Sequence, residues 1–452
     1  MRPAFFIQPG GNSRSIFLDM ARGWQFAGYD PVVVDLAGVW GEAADSPQAR
    51  AARSRALTAD VIRLLREQRI THAFGMWANL LFMLTHGVDA AGRIRSIFTD
   101  LGVTHLAWWL DAPQWAHGGD ARMLVGHDLA REAAITHLIN NSATADEMIR
   151  VLGFERTRTL PLGVDTHVHT PHPEITPEFD LVISCGPGDP DPTPLALREL
   201  EADEPDLDAL RREAADRIEP KLLKVASRFG ADADSVAGLM RALLASQVTD
   251  RATPLLVRAD ALGRQDASHR DALHVLLVRP LEWIDASMNL RRVEAWMRAF
   301  TIAWLARRFR VATFGPGGAG DAWQRHGTHL GDLPYAAMSH AYARGHAALN
   351  IMRGQDDVGL NLKPFEITAS GVACLCQNRP GLESFFNPGQ EIVAVDGPAH
   401  TGTALRTLLD SPTRRREIAQ AGLERTRREH TWSARAMTLA GQLTTPQTIM
   451  AR

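Results

Sequence analysis

Residues 349–376 read LNIMRGQDDVGLNLKPFEITASGVACLC. Two short apolar runs, 347–352 and 372–376, bound this stretch, and each has the character of a strand buried on both faces of a parallel sheet. Between them lie a loop rich in Gly and Asp and a short helix opening near Lys363. Pro364 suits the first turn of that helix, because the N–H it lacks would be unpaired there anyway. Unpaired N–H groups at a helix start attract phosphate, and Arg353 and Lys363 add positive charge close by. The expectation is a seat for a diphosphate, and the rest of the chain must say what compound carries it.

At 452 residues the chain exceeds what one hydrophobic core organises, so two or three domains are expected. Net charge is −3 and the only block of like charge is Arg414-Arg415-Arg416. Neutralising a nucleic-acid backbone needs many clustered Lys or Arg, so a nucleic-acid partner is not expected. The three cysteines, Cys185, Cys374 and Cys376, make no disulfide framework and fit a reducing, cytoplasmic setting. The apolar run near the start is too short for a signal peptide, and no run of about 18 apolar residues suggests a membrane span.

The first third alternates strand and helix. An apolar run at 4–8 ends in Pro9-Gly10-Gly11-Asn12-Ser13, and Ile16, Phe17, Met20, Trp24 and Ala27 follow at helical spacing. This is either the opening of a nucleotide-handling α/β unit or a tight turn feeding a helix. Further strands are expected at 31–36, 73–77, 105–110 and 135–140, with a helix at 50–67 and another capped by residues 141–144. Such alternation implies a parallel sheet covered on both faces, with ligands at the carboxyl ends of its strands. That rule selects Gly10, Gly11, Asn12, Trp109, Asp111 and Asn141. Asp111 could serve as a general base on a hydroxyl or cap the next turn.

Residues 165–178 contain Pro171, Pro173 and Pro177 with His167, His169 and His172, a composition that marks a domain boundary. Three close histidines suggest zinc, yet no thiol or carboxylate spacing of a known site accompanies them, which favours a solvated linker. A second sheet should begin at 179–185, ahead of Gly186-Pro187-Gly188. Asp189-Pro190-Asp191 resembles a metal-binding pair, but its prolines favour a rigid turn. Residues 195–308 read as a helical insertion with one strand signal at 272–277. Alternation resumes at 310–314, a strand ending in Gly315, followed by a turn and helix carrying Tyr335, Met338 and Tyr342. Cys374-x-Cys376 has alternate-residue spacing in a buried strand and the wrong spacing for a redox pair or zinc ribbon.

From Phe314 onward the order of features resembles the C-terminal half of group 1 glycosyltransferases, and more narrowly the CgeB-like (spore maturation protein) branch. The residues that carry the resemblance are Gly315, Gly331, Tyr335, Tyr342, Leu349-Asn350-Ile351, Arg353, Lys363-Pro364-Phe365-Glu366, Ala369-Ser370-Gly371, Pro388-Gly389-Gln390-Glu391 and His430-Thr431-Trp432. Elsewhere the likeness is one of layout, including Leu160 to Asp165 at the domain hinge.

The resemblance implies an α/β fold of the GT-B type: two doubly wound parallel-sheet domains facing a cleft, with a helical insertion in the second. The domains would be 1–165 on the acceptor side, a linker at 166–178, and 179–430 on the donor side with its insertion at about 195–308. Residues 431–452 would form a helix returning to the first domain. Glu366 would bind ribose hydroxyls, and Gly359, Leu360, Asn361 and Leu362 would offer amides to the diphosphate. Gly10, Gly11, Asn12, Gly186, Gly315, Tyr335 and Asn350 would complete the donor site. Arg353 and Lys363 would support the leaving group, with Asp111 as the third catalytic residue. Two departures stand out: Val358 replaces the upstream member of the superfamily's glutamate pair, beside Asp356 and Asp357, and Lys363 stands where relatives often carry Arg. Lysine keeps the charge but loses bidentate geometry.

The function implied is transfer of a sugar from a nucleoside-diphosphate sugar, the co-substrate, to an acceptor hydroxyl on a glycan, protein or small molecule. The expected transfer is retaining, with no obligatory metal or cofactor; Asp111 becomes the base if it is inverting. The alternatives are a nucleotide-sugar epimerase on the same fold, or a non-catalytic binding protein in cell-surface or spore assembly.

Overall fold

Short apolar runs flanked by turn residues become strands, and these assemble into two parallel sheets of six strands each. The computed structural model describes residues 1–8, 11–36, 46–115, 120–184, 192–315 and 327–444. In chain order β1 (Pro3–Ile7) leads to a helix, Gly11–Phe26, then β2 (Val32–Asp35), the helix Pro47–Glu67 and β3 (His72–Met76). A small antiparallel pair, β4 (Gly87–Val88) and β5 (Ile94–Arg95), precedes β6 (Thr104–Trp109), β7 (Ile135–Ile139), the helix Ser142–Arg150 and β8 (Thr157–Thr159). The first sheet runs β2-β1-β3-β6-β7-β8, so its order reverses between β1 and β3. Every residue of β1 and β7 is buried, which is why these strands read as continuous apolar runs.

The second sheet comprises β9 (Phe179–Ser184), β10 (Val311–Phe314), β11 (Thr328–His329), β12 (Gly345–Asn350), β13 (Ala373–Gln377) and β14 (Val393–Val395). Its order, β11-β10-β9-β12-β13-β14, reverses between β9 and β12. In open sheets of this kind a ligand crevice forms outside the carboxyl ends at such a reversal. The connection from β9 to β10 carries the helical insertion, from Leu207–Ala226 through Arg292–Ala306. The strand expected at 272–277 is instead the second half of the helix Ala267–Leu277, which Asp266 caps by accepting the Ser268 N–H at 2.7 Å. Ala272, Leu273 and Leu276 are buried at helical spacing, and so short an apolar run fits either period.

The chain divides into two compact units. Met1–Asn140, Met148–Asp165 and the stretch beginning at Arg428 form the first; Asn141–Glu147 and Thr166–Arg427 form the second. In the first, Phe5 stacks on Phe74 at 4.5 Å and Trp108 meets Trp432 edge-on at 5.6 Å. Trp432 opens the helix Trp432–Thr444, and a Cβ on Gly23 would overlap its own, so this close approach requires glycine. His105 and His137 lie within the same core, stacked on Phe98 and Phe154. Burial pushes the two imidazoles down to about 3 and about 4. Among the described residues no helix is long and apolar enough to cross a membrane.

Candidate functional site

Helical spacing brings Lys363 and Glu366 onto one face of the helix Lys363–Ala369, which follows the loop after β12. Glu366 is fully buried. Its Oε2 accepts from Lys363 Nζ at 3.0 Å and from the Tyr342 hydroxyl at 3.3 Å. Its Oε1 is also buried and has no hydrogen-bond partner among the described residues. Burial alone would raise this carboxyl, but Lys363 foremost, then His169 and the hydrogen bonds, hold it below the usual carboxylate range. Tyr342 is driven well above the usual phenol range by burial and by the adjacent Glu366. The result is an ionised carboxylate with one oxygen satisfied and one not.

The loop that precedes this helix uses some of its donors internally. The Gly359 N–H donates to the Pro380 carbonyl at 2.9 Å, and the Lys363 N–H donates to Asn361 Oδ1 at 3.1 Å. Leu360 and Leu362 are buried, while Asn361 is half-buried. Arg353 is exposed, and its carbonyl accepts the Asp356 N–H at 3.2 Å. Asn350 at the end of β12 is buried with its amide turned onto sulfur, 3.2 Å from Met352 Sδ and 3.4 Å from Cys376 Sγ. Gly315, just past β10, donates its N–H to the Gly331 carbonyl at 3.0 Å. Tyr335 is buried with its ring edge-on to His169, centroids 4.9 Å apart.

The second unit therefore contains Gly315, Tyr335, Asn350, Arg353, Gly359–Leu362 as residues 359–362, Lys363 and Glu366. Gly11, Asn12 and Asp111 belong to the first unit. Gly11 and Asn12 open the helix Gly11–Phe26, and Asp111 is half-buried just past β6. Gly10, Gly186 and the Asp189-Pro190-Asp191 motif lie outside the described residues.

Sequence reasoning missed a buried network of charges around the same loop. Asp357 is 1% exposed and accepts from Arg251 Nη1 at 2.6 Å, Arg291 Nη2 at 2.7 Å and the Leu255 N–H at 3.0 Å. Arg251 also donates to the Gly354 carbonyl at 3.0 Å and the Asp356 carbonyl at 3.3 Å. Arg291 is paired on its other side with Glu147, which belongs to the second unit and also accepts from Trp283 Nε1 at 3.3 Å. Glu294 joins Arg251 at 3.6 Å to Arg379 at 3.0 Å. Burial would raise the Asp357 carboxyl, yet the two guanidinium groups hold it far below the carboxylate range. Gly354 permits this closeness, since a Cβ there would lie 2.5 Å from the Arg291 carbonyl oxygen. Arg251 and Arg291 stand in the helical insertion, so no local spacing announces the pairing.

With this geometry in hand, the relationships to known proteins can be stated. Residues 291–441 match the sequence family described as Glycosyl transferase-like. No curated protein matches the chain. HepE of Anabaena, solved with UDP-glucose, shares 11% identity over 98% of this chain and 99% of its own, with a TM-score of 0.50. Sucrose-phosphate synthase of Thermosynechococcus elongatus shares 11% identity over 98% of each chain, with a TM-score of 0.46. The β-glucosyltransferase of phage T4 shares 10% over 98% of this chain and 99% of its own, with a TM-score of 0.45. The likeness to HepE is one of fold: an α/β chain with two parallel-sheet units, of the GT-B type.

Proposed function

We propose that this protein is a glycosyltransferase whose second unit holds a nucleoside-diphosphate sugar and which passes the sugar to an acceptor hydroxyl. The observation that carries the proposal is Glu366: a buried, ionised carboxylate with one unsatisfied oxygen, in the segment that follows the order reversal of the second sheet. Leaving such an oxygen without a donor costs about 1–3 kcal/mol, and a ribose hydroxyl supplies one. The match of residues 291–441 to a glycosyl transferase-like family supports the same reading. Within that superfamily the order of features from Phe314 onward resembles the CgeB-like branch. HepE was solved with UDP-glucose, so UDP and UDP-glucose are the first ligands to test.

In the proposed mechanism the Glu366 carboxylate orients the donor through its ribose. Charge developing on the departing diphosphate is met by Lys363, Arg353 and the amides of Leu360, Asn361 and Leu362. These cationic side chains supply the compensation that a metal would otherwise give. The reaction is read as retaining, with the leaving phosphate accepting the acceptor's proton and Asp111 orienting the acceptor. Gly315 and Tyr335 keep their assignment to the donor site, and the expected setting is the cytoplasm. A panel of nucleotide sugars, assayed for transfer and hydrolysis with NMR of the anomeric product, tests the proposal. Release of diphosphate with retained configuration supports it; no turnover of any donor contradicts it.

A second reading has its own observation. The superfamily's upstream glutamate position holds Val358, and the neighbouring Asp357 is committed to Arg251 and Arg291. A chain that binds the donor without transferring it would have these features. Nucleotide binding without turnover would establish that reading.

A further inference from the structure

The linker histidines lack the sequence spacing of a known site, yet the folded chain brings one of them, His172, beside a carboxylate and a further histidine. The prolines of this segment and a turn bring it into place: the Ile175 N–H donates to the His172 carbonyl at 3.1 Å, with Pro173 at the second position, where its fixed φ favours a turn. This turn sets Glu174 Oε1 3.0 Å from His172 Nδ1. His340, on the short helix Met338–Ala343, completes the group, its ring centroid 3.7 Å from that of His172. One ligand atom from each of His172, Glu174 and His340 lies within 4.8 Å of the other two.

The hydrogen bonds around His172 indicate what belongs between these atoms. Its Nε2 is 3.0 Å from Ser339 Oγ, and Ser339 Oγ is 3.4 Å from the Val168 carbonyl. The serine has one proton. If His172 carries its proton on Nδ1, toward Glu174, the serine must donate to Nε2 and the Val168 carbonyl loses its donor. If the proton is on Nε2, both bonds form, but a bare Nδ1 then faces a carboxylate oxygen. In that second arrangement a cation between Nδ1 and Oε1 would balance the two facing acceptors. A ring nitrogen held by a hydrogen bond on its far side, with a carboxylate and a second imidazole beside it, is the donor set of a zinc site.

We infer that His172, Glu174 and His340 form a binding site for a divalent transition-metal ion, zinc being the best match to two imidazoles and one carboxylate, with water completing the coordination. Neighbouring ligand atoms in a tetrahedral zinc site stand about 3.3 Å apart. The His172–Glu174 pair, 3.0 Å apart, already approaches that spacing, and the exposed His340 has a ligand atom within 4.8 Å of both. None of the three residues is assigned to the donor site, so the inference is independent of the glycosyl-transfer reading. The turn His172–Ile175 leads into β9 and the helix Met338–Ala343 leads into β12. A bound ion therefore ties the entry segments of the two strands at which the second sheet reverses its order.

The test is titration of zinc chloride into the full-length, chelator-treated protein by calorimetry, in a Cys185→Ser background that removes a competing thiol. Cys374 and Cys376 are buried and do not compete. The expected result is one zinc per chain at micromolar affinity or better, abolished in Glu174→Gln and in His340→Ala and weakened at least about tenfold in Ser339→Ala. His269→Ala, in the helical insertion, should leave binding unchanged. Glu174 and His340 are exposed and Ser339 is buried, so circular dichroism verifies the fold of every variant. Cobalt in place of zinc should give the intense visible bands of a four-coordinate ion. No binding, or zinc retained by either ligand variant, overturns the site and leaves a proton as the cation shared by His172 and Glu174.

Discussion

Asp357 and Glu366 lie nine positions apart on one loop and helix, and both are buried carboxylates held ionised. Asp357 is saturated, with two guanidinium groups and a backbone N–H on its two oxygens. Glu366 has a lysine and a phenol on one oxygen and nothing on the other among the described residues. A carboxylate whose lone pairs are all engaged within the protein has no capacity left for a ligand, so Asp357 anchors the loop. One that is half engaged is oriented and still able to accept, so Glu366 is the member of the pair suited to recognition. Conformation and recognition are thus divided between two acids that look alike in the sequence.

The largest effect is expected where saturation is broken. Asp357→Asn leaves Arg251 and Arg291 buried without their shared counter-charge, and removing one partner of a buried ion pair costs about 3–5 kcal/mol. Urea denaturation should show the loss; an unchanged midpoint would mean that the network contributes nothing. Next comes Lys363→Ala, which removes a charge-assisted hydrogen bond worth about 1.5–3 kcal/mol and lets the Glu366 carboxyl rise. Donor affinity should fall roughly tenfold to a hundredfold by the equivalence of energy and affinity.

The contrast extends to pH. His105 and His137 of the first unit are kept neutral, their imidazoles lowered from 6.5 to about 3 and about 4. Below pH 6.5 the unfolded chain binds protons that the folded chain refuses, so stability is full above that pH and declines as pH falls toward 4. The slope approaches about 1.4 kcal/mol per pH unit for each histidine. Asp357 and Glu294, lowered in the folded chain, lose their contribution only when pH falls below the unfolded carboxylate range. Between pH 6.5 and 4, hydrogen exchange should therefore rise in the first unit before the second. The smallest effect is that of Tyr342→Phe, which deletes the 3.3 Å hydrogen bond to Glu366 and should cost about 0.5–1.5 kcal/mol of donor affinity.

How far the sequence reveals this depends on the range of each interaction. The strands are legible because burial on both faces leaves short apolar runs, and the Lys363–Glu366 pair is legible because helical spacing is local. The run at 272–277 misleads because six apolar-rich residues fit a strand or one face of a helix, and the longer helical context decides. The saturation of Asp357 cannot be read, since Arg251 and Arg291 reach it from a distant insertion. For the same reason the linker shows His172 and Glu174 but conceals the approach of His340. Asn350 shows a subtler limit: its position at a strand end suggests a ligand, yet its amide faces two sulfur atoms in the core.

The central claim is that Glu366 holds a nucleoside diphosphate. Its most direct test is calorimetric titration of UDP, and of GDP in parallel, into the wild-type protein and Glu366→Gln, which keeps the size of the side chain and removes its charge. The account predicts saturable binding to the wild type and at least about tenfold weaker binding to the variant, with both proteins equally folded. Equal affinity in the two would contradict it.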